Sequence, residues 1–327
     1  MLDEIYIESM IKKRFPLKSK RFSTEIGDDS AICKIKDNQI VVSCDSLVEN
    51  IHFTRKKFTP EEISSRSLAV AVSDISAMGA IPMFFLNSLF LPRGITKKFV
   101  TRLFSGFKKT SKKFKISLIG GNISRSDSLI IDVTVIGELK KNKYKERGKC
   151  TNGDFIYVSG NIGDASLGLH ILNKKRNNLQ NIEERKLVAK YKNPNPKIKL
   201  GEFLGQLDYV SSMIDITDGL SIDLSRLINL NKNKLGAKVI WENIPKSKIA
   251  IKKPYEKHVE QYVLHGGDDY ELMFTVNRKF YQKFERLAKI RKFRIFRIGE
   301  VVNGSKIILE MGGKNKILKP DGFIHKF

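Results

Sequence analysis

The stretch that decides the fold is residues 26–45, IGDDSAICKIKDNQIVVSCD, which places three carboxylates around two short apolar runs. Asp28 and Asp29 follow a glycine, and Asp45 ends the second apolar run. Adjacent carboxylates repel each other, so a fold keeps them together where a cation or hydrogen-bond donors lie close by. Asp and Gly also form ordinary turns. The stretch alone therefore leaves two interpretations open, a simple turn and a metal site.

The composition of the chain makes these carboxylates stand out. The 327 residues include 60 Lys and Arg against 35 Asp and Glu, a formal net charge of +25. A basic surface attracts polyanions, so a nucleic-acid-binding protein has to be weighed. The lysines are scattered and no recognition motif accompanies them, which argues against nucleic acid as a partner. The same charge would steer anionic small substrates toward a site.

Cysteine usage and hydropathy indicate the cellular compartment of the protein. Cys33, Cys44 and Cys150 show no Cys-x-x-Cys spacing, which disfavours a disulfide framework or a zinc site and fits a reducing compartment. No apolar run reaches 18 residues, and the acidic N-terminus lacks the features of a signal peptide. We expect a cytoplasmic protein without a membrane segment.

Strand and helix patterns alternate along the chain, which predicts an α/β or α+β fold. The length suggests two domains, and the polar, basic stretch 140–152 predicts their boundary, with one domain over 1–140 and an α/β domain over 150–327. In the first domain we predict helices over 3–14, 60–78 and 96–113, strands over 31–36, 40–45, 83–91, 116–119 and 129–139, and a turn at Gly120-Gly121-Asn122.

In the second domain, two acidic glycine turns are predicted next to strands. A strand ends at Asp215-Ile216-Thr217-Asp218-Gly219-Leu220, and the second turn, from His265 to Leu272, leads into the next strand. The elements predicted around them are strands over 154–159, 210–214, 237–241 and 272–276, helices over 163–172, 182–191, 197–207 and 221–230, and finally a helix, two strands and a tail.

The helix predicted from Pro60 to about Met78 carries a carboxylate among apolar side chains. Apolar residues placed at 100° per residue cover most of its circumference, so little of it can face water. Asp74 falls inside one apolar arc, beside Ser67. Because an isolated ionised carboxylate is costly to bury, Asp74 must be paired, protonated or bound to a metal.

The acidic residues form four clusters, most of them at strand ends or glycine turns. Carboxylates combined with hydroxyl and water ligands suit Mg²⁺, which proteins often hold together with substrate phosphates. No G-x-x-x-x-G-K-[ST] loop is present, which excludes a P-loop kinase, and no protein-kinase glycine-rich loop is present either. The clusters are Asp28/Asp29 with Asp45, Asp74, Asp215/Asp218 and Asp268/Asp269.

Six segments, in order along the chain, resemble the thiamine-monophosphate kinases. The acidic turns alone are typical of the wider superfamily of aminoimidazole-ribotide-synthase-like ATP enzymes, whereas V-E-x-x-H-F and S-D-I-S-A-M-G-A are more specific to the kinases. The segments are residues 27–31, 43–53, 73–80, 120–122, 215–220 and 266–272.

The resemblance implies a two-domain fold, a homodimer built through the N-terminal domains, and transfer of the ATP γ-phosphoryl group to thiamine monophosphate with several Mg²⁺ ions. Matched position by position, the metal ligands would be Asp29, Ser43, Asp45, Asp74, Asp215 and Asp218, together with Cys44 and Asn122. The ATP contacts would be Gly121, Asn122, Arg147 and Thr217, and the thiamine-monophosphate contacts His52, Asp268 and Phe323. We name no catalytic base, because the acceptor is already an anion.

Two residues depart from the family pattern. The family usually has Asp in place of Asn122, and the amide keeps a carbonyl oxygen but loses the charge, which predicts weaker binding of one Mg²⁺. It usually has Thr in place of Cys44, and a thiol is a poor Mg²⁺ ligand, so the backbone carbonyl is the group expected to contribute.

Structural interpretations of the same residues stay open at this point. His52 and Phe323 could be ordinary packed side chains, Thr217 a helix cap, Arg147 a solvated charge, and Asp268 with Asp269 a turn. Two other functions also stay open. One is a different ATP-dependent synthetase of the superfamily, and the other is a basic nucleic-acid-binding protein.

Overall fold

The computed structural model describes residues 30–35, 38–140, 143–174, 181–228 and 234–325. The helix predicted over 3–14 and the carboxylates Asp28 and Asp29 lie outside the described residues. The predicted α/β class is confirmed, since the strands of two sheets alternate with helices along the chain. No helix in the described ranges is long and apolar enough to cross a membrane.

The first sheet has five strands in the order β1-β2-β5-β3-β4. Buried and partly exposed residues alternate along β2 and β5, so one face of this sheet is covered and the other is not. The strands are β1 (Ala31–Ile35), β2 (Asn38–Val48), β3 (Ile81–Leu91), β4 (Ser117–Arg125) and β5 (Ile130–Glu138).

Two helices, α1 (Pro60–Ala77) and α2 (Lys97–Phe114), follow β2 and β3. Helix α1 begins with a capping box, in which the Thr59 side chain accepts from the Glu62 backbone N–H and the Glu62 side chain accepts from the Thr59 N–H. Nearly all of α1 is buried, as the sequence predicts. It packs on the first sheet and on α2, and it also contacts the second half of the chain.

The second sheet has seven strands in the order β12-β11-β8-β10-β6-β9-β7, all antiparallel pairs except β8 with β11. Its strands are β6 (Phe155–Val158), β7 (Val210–Ile216), β8 (Leu235–Ile240), β9 (Glu271–Val276), β10 (Phe296–Asn303), β11 (Ile307–Met311) and β12 (Lys314–Leu318). The helices are α3 (Asp164–Lys174), α4 (Ile182–Lys192), α5 (Ile198–Gly205), α6 (Leu220–Leu227) and α7 (Tyr281–Ile290).

Two predicted elements are wrong. The last helix is followed by three strands, β10 to β12, where the sequence predicted two. The turn predicted at Gly120-Gly121-Asn122 is instead the middle of β4, which runs parallel to β3. A side chain at Gly121 would meet the Asn87 carbonyl oxygen at 2.0 Å, so glycine is required here by the close approach of two strands.

The two sheets lie on either side of the predicted boundary in the chain, and one apolar cluster connects the first sheet and α1 to helices of the second half. This cluster joins Ile63 and Leu68 of α1 to Leu187 and Tyr191 of α4. At the end of α1, α5 approaches so closely that a side chain at Gly201 would meet the Ser76 carbonyl oxygen at 2.2 Å. The central helix therefore belongs to both cores, and the division into domains over 1–140 and 150–327 stays a prediction.

Candidate active site

A cleft of about 620 Å³ lies between β2 and α1 on one side and the turn after β7, the turn before β9 and the C-terminal tail on the other. Its walls come from distant parts of the chain, and eight residues singled out in the sequence meet there. They are Asp45, His52, Asp74, Arg147, Thr217, Asp218, Asp268 and Phe323.

Oxygen ligands from β2 and α1 form one wall of this cleft. Ser43 and Asp45 lie two residues apart on β2 and therefore on the same face of the strand, toward α1. The Ser43 hydroxyl donates a hydrogen bond to the Asp74 carboxylate. Asp74 is thus paired, as its position on a largely buried helix requires. These hard oxygen donors fit a magnesium site.

Cys44 lies on the opposite face of β2. Its thiol donates to the Asp132 carboxylate at 3.2 Å and accepts from the Thr134 hydroxyl at 3.3 Å. Burial, reinforced by Asp132, raises the pKa of this thiol, which is therefore protonated at neutral pH. Because this thiol lies on the face of β2 opposite Ser43 and Asp45, a metal ligand from Cys44 would have to be its backbone carbonyl, and that role stays a prediction.

The turn after β7 is held by a carboxylate that the sequence analysis missed. Asp223, in the first turn of α6, accepts the backbone N–H groups of Thr217 (3.0 Å), Asp218 (3.0 Å) and Gly219 (3.1 Å). Arg226 joins the Asp223 and Asp218 carboxylates. An acidic residue in a first helical turn was the available signal. Gly219 is the N-cap, so the Thr217 side chain does not cap α6.

Arg66 of α1 was also missed. It holds Asp268, which lies in the turn before β9, and we call this turn the acidic wall of the cleft. The Arg66 side chain is only 2% exposed, and its guanidinium donates to the Asp268 carboxylate and to the Tyr191 carbonyl. It also lies 4.7 Å from the centroid of the Tyr191 ring. The Tyr270 hydroxyl donates to the same carboxylate of Asp268 at 3.1 Å. Asp268 is therefore a positioned carboxylate at the cleft and more than a turn residue.

Aromatic rings close one end of the cleft. The His325 ring packs 5.4 Å from His52 and 4.7 Å from Phe323, centroid to centroid. The Phe323 N–H donates to the Asp218 carbonyl at 3.0 Å, which ties the tail to the β7 turn. Burial, with His325 and Arg66 nearby, lowers the pKa of His52, so its imidazole is neutral at pH 7. His325 is a third residue that sequence reasoning missed.

The remaining predicted site residues lie elsewhere. Gly121 and Asn122 are on β4, and the register Asp45–Val133–Asn87–Gly121 puts three strand spacings, about 14 Å, between Asp45 and Gly121. Asp215 is buried near the end of β7, and Asp29 lies outside the described residues.

The carboxylates are spread around the cleft and do not form one compact centre. Within the described ranges, no group of three His, Cys, Asp or Glu side chains is close enough to hold a metal ion. Mg²⁺ commonly takes one or two carboxylates and completes its shell with water and substrate phosphate. Asp45 with Asp74 in the cleft, and Asp215 in β7 with Asp218 in the turn that follows, fit that requirement in donor chemistry.

Comparisons with known proteins identify the class that this fold and cleft belong to. Residues 27–139 match the family model of AIR synthase related proteins, N-terminal domain. The thiamine-monophosphate kinase of Buchnera aphidicola subsp. Schizaphis graminum is 34% identical over 326 residues, 99% of this chain and 98% of that protein. That of Bacillus subtilis is 31% identical over 308 residues, 92% of each.

A solved structure agrees with these sequence matches. The structure of AaThiL complexed with AMPPCP and TMP superposes with a TM-score of 0.85 at 29% identity, over 99% of this chain and 97% of that one. This chain belongs to the thiamine-monophosphate kinase family, and the resemblance read from its motifs is confirmed.

Proposed function

We propose that the protein transfers the γ-phosphoryl group of ATP to the phosphate of thiamine monophosphate, giving thiamine diphosphate and ADP. The observation that carries this proposal is the presence of two chemically different walls in one cleft. The first wall has the hard oxygen ligands Asp45 and Asp74, with Ser43 hydrogen-bonded to Asp74. The second wall is an aromatic and anionic surface with His52, Asp268 and Phe323.

The second wall suits a cationic, aromatic ligand such as the thiazolium and pyrimidine rings of thiamine. A ring cation is attracted both to the Asp268 carboxylate and to the face of an aromatic side chain such as Phe323. Arg66 and Tyr270 hold that carboxylate in place, so little freedom is lost when the ligand binds. The neutral imidazole of His52 offers a hydrogen-bonding edge without adding a repelling positive charge.

The reaction needs charge neutralisation more than a base. An acceptor phosphate is already a nucleophilic anion, and the obstacle is its repulsion from the phosphates of ATP. Arg147 lines the cleft and can bind phosphate oxygens in a bidentate manner. Arg226 adds a second guanidinium beside Asp218. These groups orient the phosphates for in-line transfer.

We further propose that Mg²⁺ binds through Ser43, Asp45 and Asp74 and, near the end of β7 and in the turn after it, through Asp215 and Asp218. When bound to these residues, Mg²⁺ would neutralise the negative charge of the phosphates. Asp29, the Cys44 carbonyl and Asn122 stay predicted additional ligands, and Gly121 with Thr217 stay predicted ATP contacts. The cytoplasmic location likewise stays a prediction from cysteine usage.

The test is turnover in three variants. Asp45→Asn and Asp74→Asn should each lower kcat by at least about a hundredfold, because each removes a charge that faces phosphate. Asp127→Asn is the matched control, since Asp127 is exposed outside the cleft, and it should turn over normally. Full activity in either cleft variant, with an unchanged circular dichroism spectrum, would remove that residue from the metal set.

We also propose the homodimer that the family resemblance implies, built through the first sheet. The face of this sheet turned away from α1 and α2 is uncovered, and β4 is exposed along its whole length. Phe84 on β3 and Leu118, Ile119 and Ile123 on the edge strand β4 are 40–68% exposed. A large apolar surface on a sheet edge favours association.

A pair of matched substitutions tests the dimer. Ile123→Glu should yield monomers in sedimentation velocity, because it puts a charge on the proposed interface. Ile290→Glu changes an equally exposed isoleucine, 69% against 68%, on α7 of the other half, and should leave the dimer intact. A wild-type monomer, or the same effect of both variants, would refute the proposed interface.

A further inference from the structure

A second cavity, of about 780 Å³, lies on the other side of the segment that forms the acidic wall of the cleft. Asp268 faces the cleft, whereas the next residue, Asp269, lines the second cavity. The two cavities share no lining residue among those described. The second cavity is therefore a separate space and has a size typical of small-molecule sites.

The floor of this cavity is an ion-paired network. Asp269 accepts the backbone N–H groups of Gly163 and Ala165 at the start of α3. The Lys190 ammonium lies 3.4 Å from both the Asp269 and the Glu271 carboxylates, and the Lys197 ammonium lies 3.0 Å from Glu271. The carboxylates of the floor are thus already neutralised by buried or half-buried lysines.

The rim carries positive charge that is not neutralised. Seven cationic side chains and only three carboxylates line the cavity. Lys186, Lys199 and Lys292 are exposed, and in the described part of the chain their ammonium groups have no ion-pair or hydrogen-bond partner. Burial and the nearby Lys197 lower the pKa of Lys113, a sign that the cations repel one another. An anion placed between them would relieve that repulsion.

Asp164 provides a second, independent observation. Its side chain is 7% exposed and lines the cavity. One carboxylate oxygen accepts from the Asn161 side-chain amide at 3.2 Å. The other oxygen is buried and has no hydrogen-bond partner among the described atoms. A buried acceptor without a donor is costly, so a ligand hydroxyl group would be stabilising here.

We propose that the second cavity binds a phosphorylated small molecule that carries hydroxyl groups, of the sugar-phosphate class. Its phosphate lies among Lys186, Lys199 and Lys292, and one of its hydroxyl groups donates to Asp164. Lysine clusters bind phosphate as point charges, and charge-assisted hydrogen bonds to phosphate are among the stronger ones in proteins. This site is independent of the reaction proposed for the cleft.

Isothermal titration calorimetry with ribose 5-phosphate tests the site directly. The wild-type protein should bind one equivalent saturably, and the double variant Lys186→Ala/Lys292→Ala should bind at least about tenfold more weakly. The matched control is Lys108→Ala/Lys109→Ala, which removes the same two charges from the exposed face of α2. It should stay within about twofold of the wild type, because general charge attraction is weak between distant exposed groups.

Two further variants separate the possible outcomes. Arg147→Ala, in the cleft, should leave ribose 5-phosphate binding unchanged. Asp164→Asn should weaken ribose 5-phosphate about tenfold but leave inorganic pyrophosphate, which has no sugar hydroxyl, unaffected. Absence of saturable binding, equal losses in the two lysine pairs, or a loss confined to Arg147→Ala would overturn the proposal. Equal effects of Asp164→Asn on both probes would overturn the role of Asp164.

Discussion

Replacing Arg66 by methionine keeps the length of the side chain and removes its charge from the acidic wall of the cleft. The buried guanidinium bonds the Asp268 carboxylate and the Tyr191 carbonyl, and it packs on the Tyr191 ring. Asp268 raises the pKa of Arg66 against the opposing effect of burial, so the charge is always present. The variant therefore loses two charge-assisted hydrogen bonds and leaves a carboxylate without its cation.

The magnitude follows from these contacts. A hydrogen bond to a charged group contributes about 1.5–3 kcal/mol, and breaking a buried pair from one side costs about 3–5 kcal/mol. The Asp268 side chain is 30% exposed and regains some hydration in the variant, so we expect a loss of about 3 kcal/mol of unfolding free energy. A mobile Asp268 should also raise the KM for thiamine monophosphate about tenfold, with a smaller change in kcat.

Urea unfolding and steady-state kinetics measure both effects, with Arg102→Met as the matched control. Arg102 forms a two-point ion pair with Glu61 at 2.7 and 2.8 Å, but both side chains are exposed. Exposed pairs contribute about 0–1 kcal/mol. Equal destabilisation by the two substitutions, with an unchanged KM in Arg66→Met, would refute the role assigned to Arg66.

Three other predictions follow from single residues. Because the folded state lowers the pKa of His52, the free energy of unfolding should fall as the pH drops below about 6.5. Urea unfolding at pH 7.5 and pH 5.5 measures this fall, which should be smaller in His52→Gln than in the wild type. Gly121→Ala should destabilise by about 1–3 kcal/mol through its clash with the Asn87 carbonyl, whereas Gly120→Ala, which meets only a flexible leucine methyl, should cost less. Asn122→Asp restores a carboxylate and should lower the Mg²⁺ concentration for half-maximal activity severalfold; no change would exclude Asn122 from the metal set.

The cleft residues that sequence reasoning found share a local signal. Asp45 ends an apolar run in the sequence, and Asp74 interrupts a largely apolar helix, so the cost of burying a charge makes both recognisable without a structure. The glycine-containing turns in the sequence likewise identified Asp218 and Asp268 as candidate site residues. Asp45, Asp74, Asp218 and Asp268 all line the same cleft.

The missed residues lack such a signal. Arg66 is one of 60 basic residues, and only the packing of α1 between two sheets shows that it is buried. His325 depends on where the tail docks, which no local pattern encodes. Gly120-Gly121-Asn122 looked like a turn because glycine pairs usually form one, whereas here the close pairing of β4 with β3 sets the requirement.

The most direct test of the central claim follows the fate of the γ-phosphoryl group. Wild-type protein is incubated with ATP, Mg²⁺ and thiamine monophosphate, and ³¹P NMR and chromatography quantify ADP, inorganic phosphate and thiamine diphosphate over time. Direct transfer in the cleft predicts ADP and thiamine diphosphate in equal amounts, with no release of inorganic phosphate and no product in Asp74→Asn. ATP consumed without thiamine diphosphate, or no turnover by folded protein, would contradict the account.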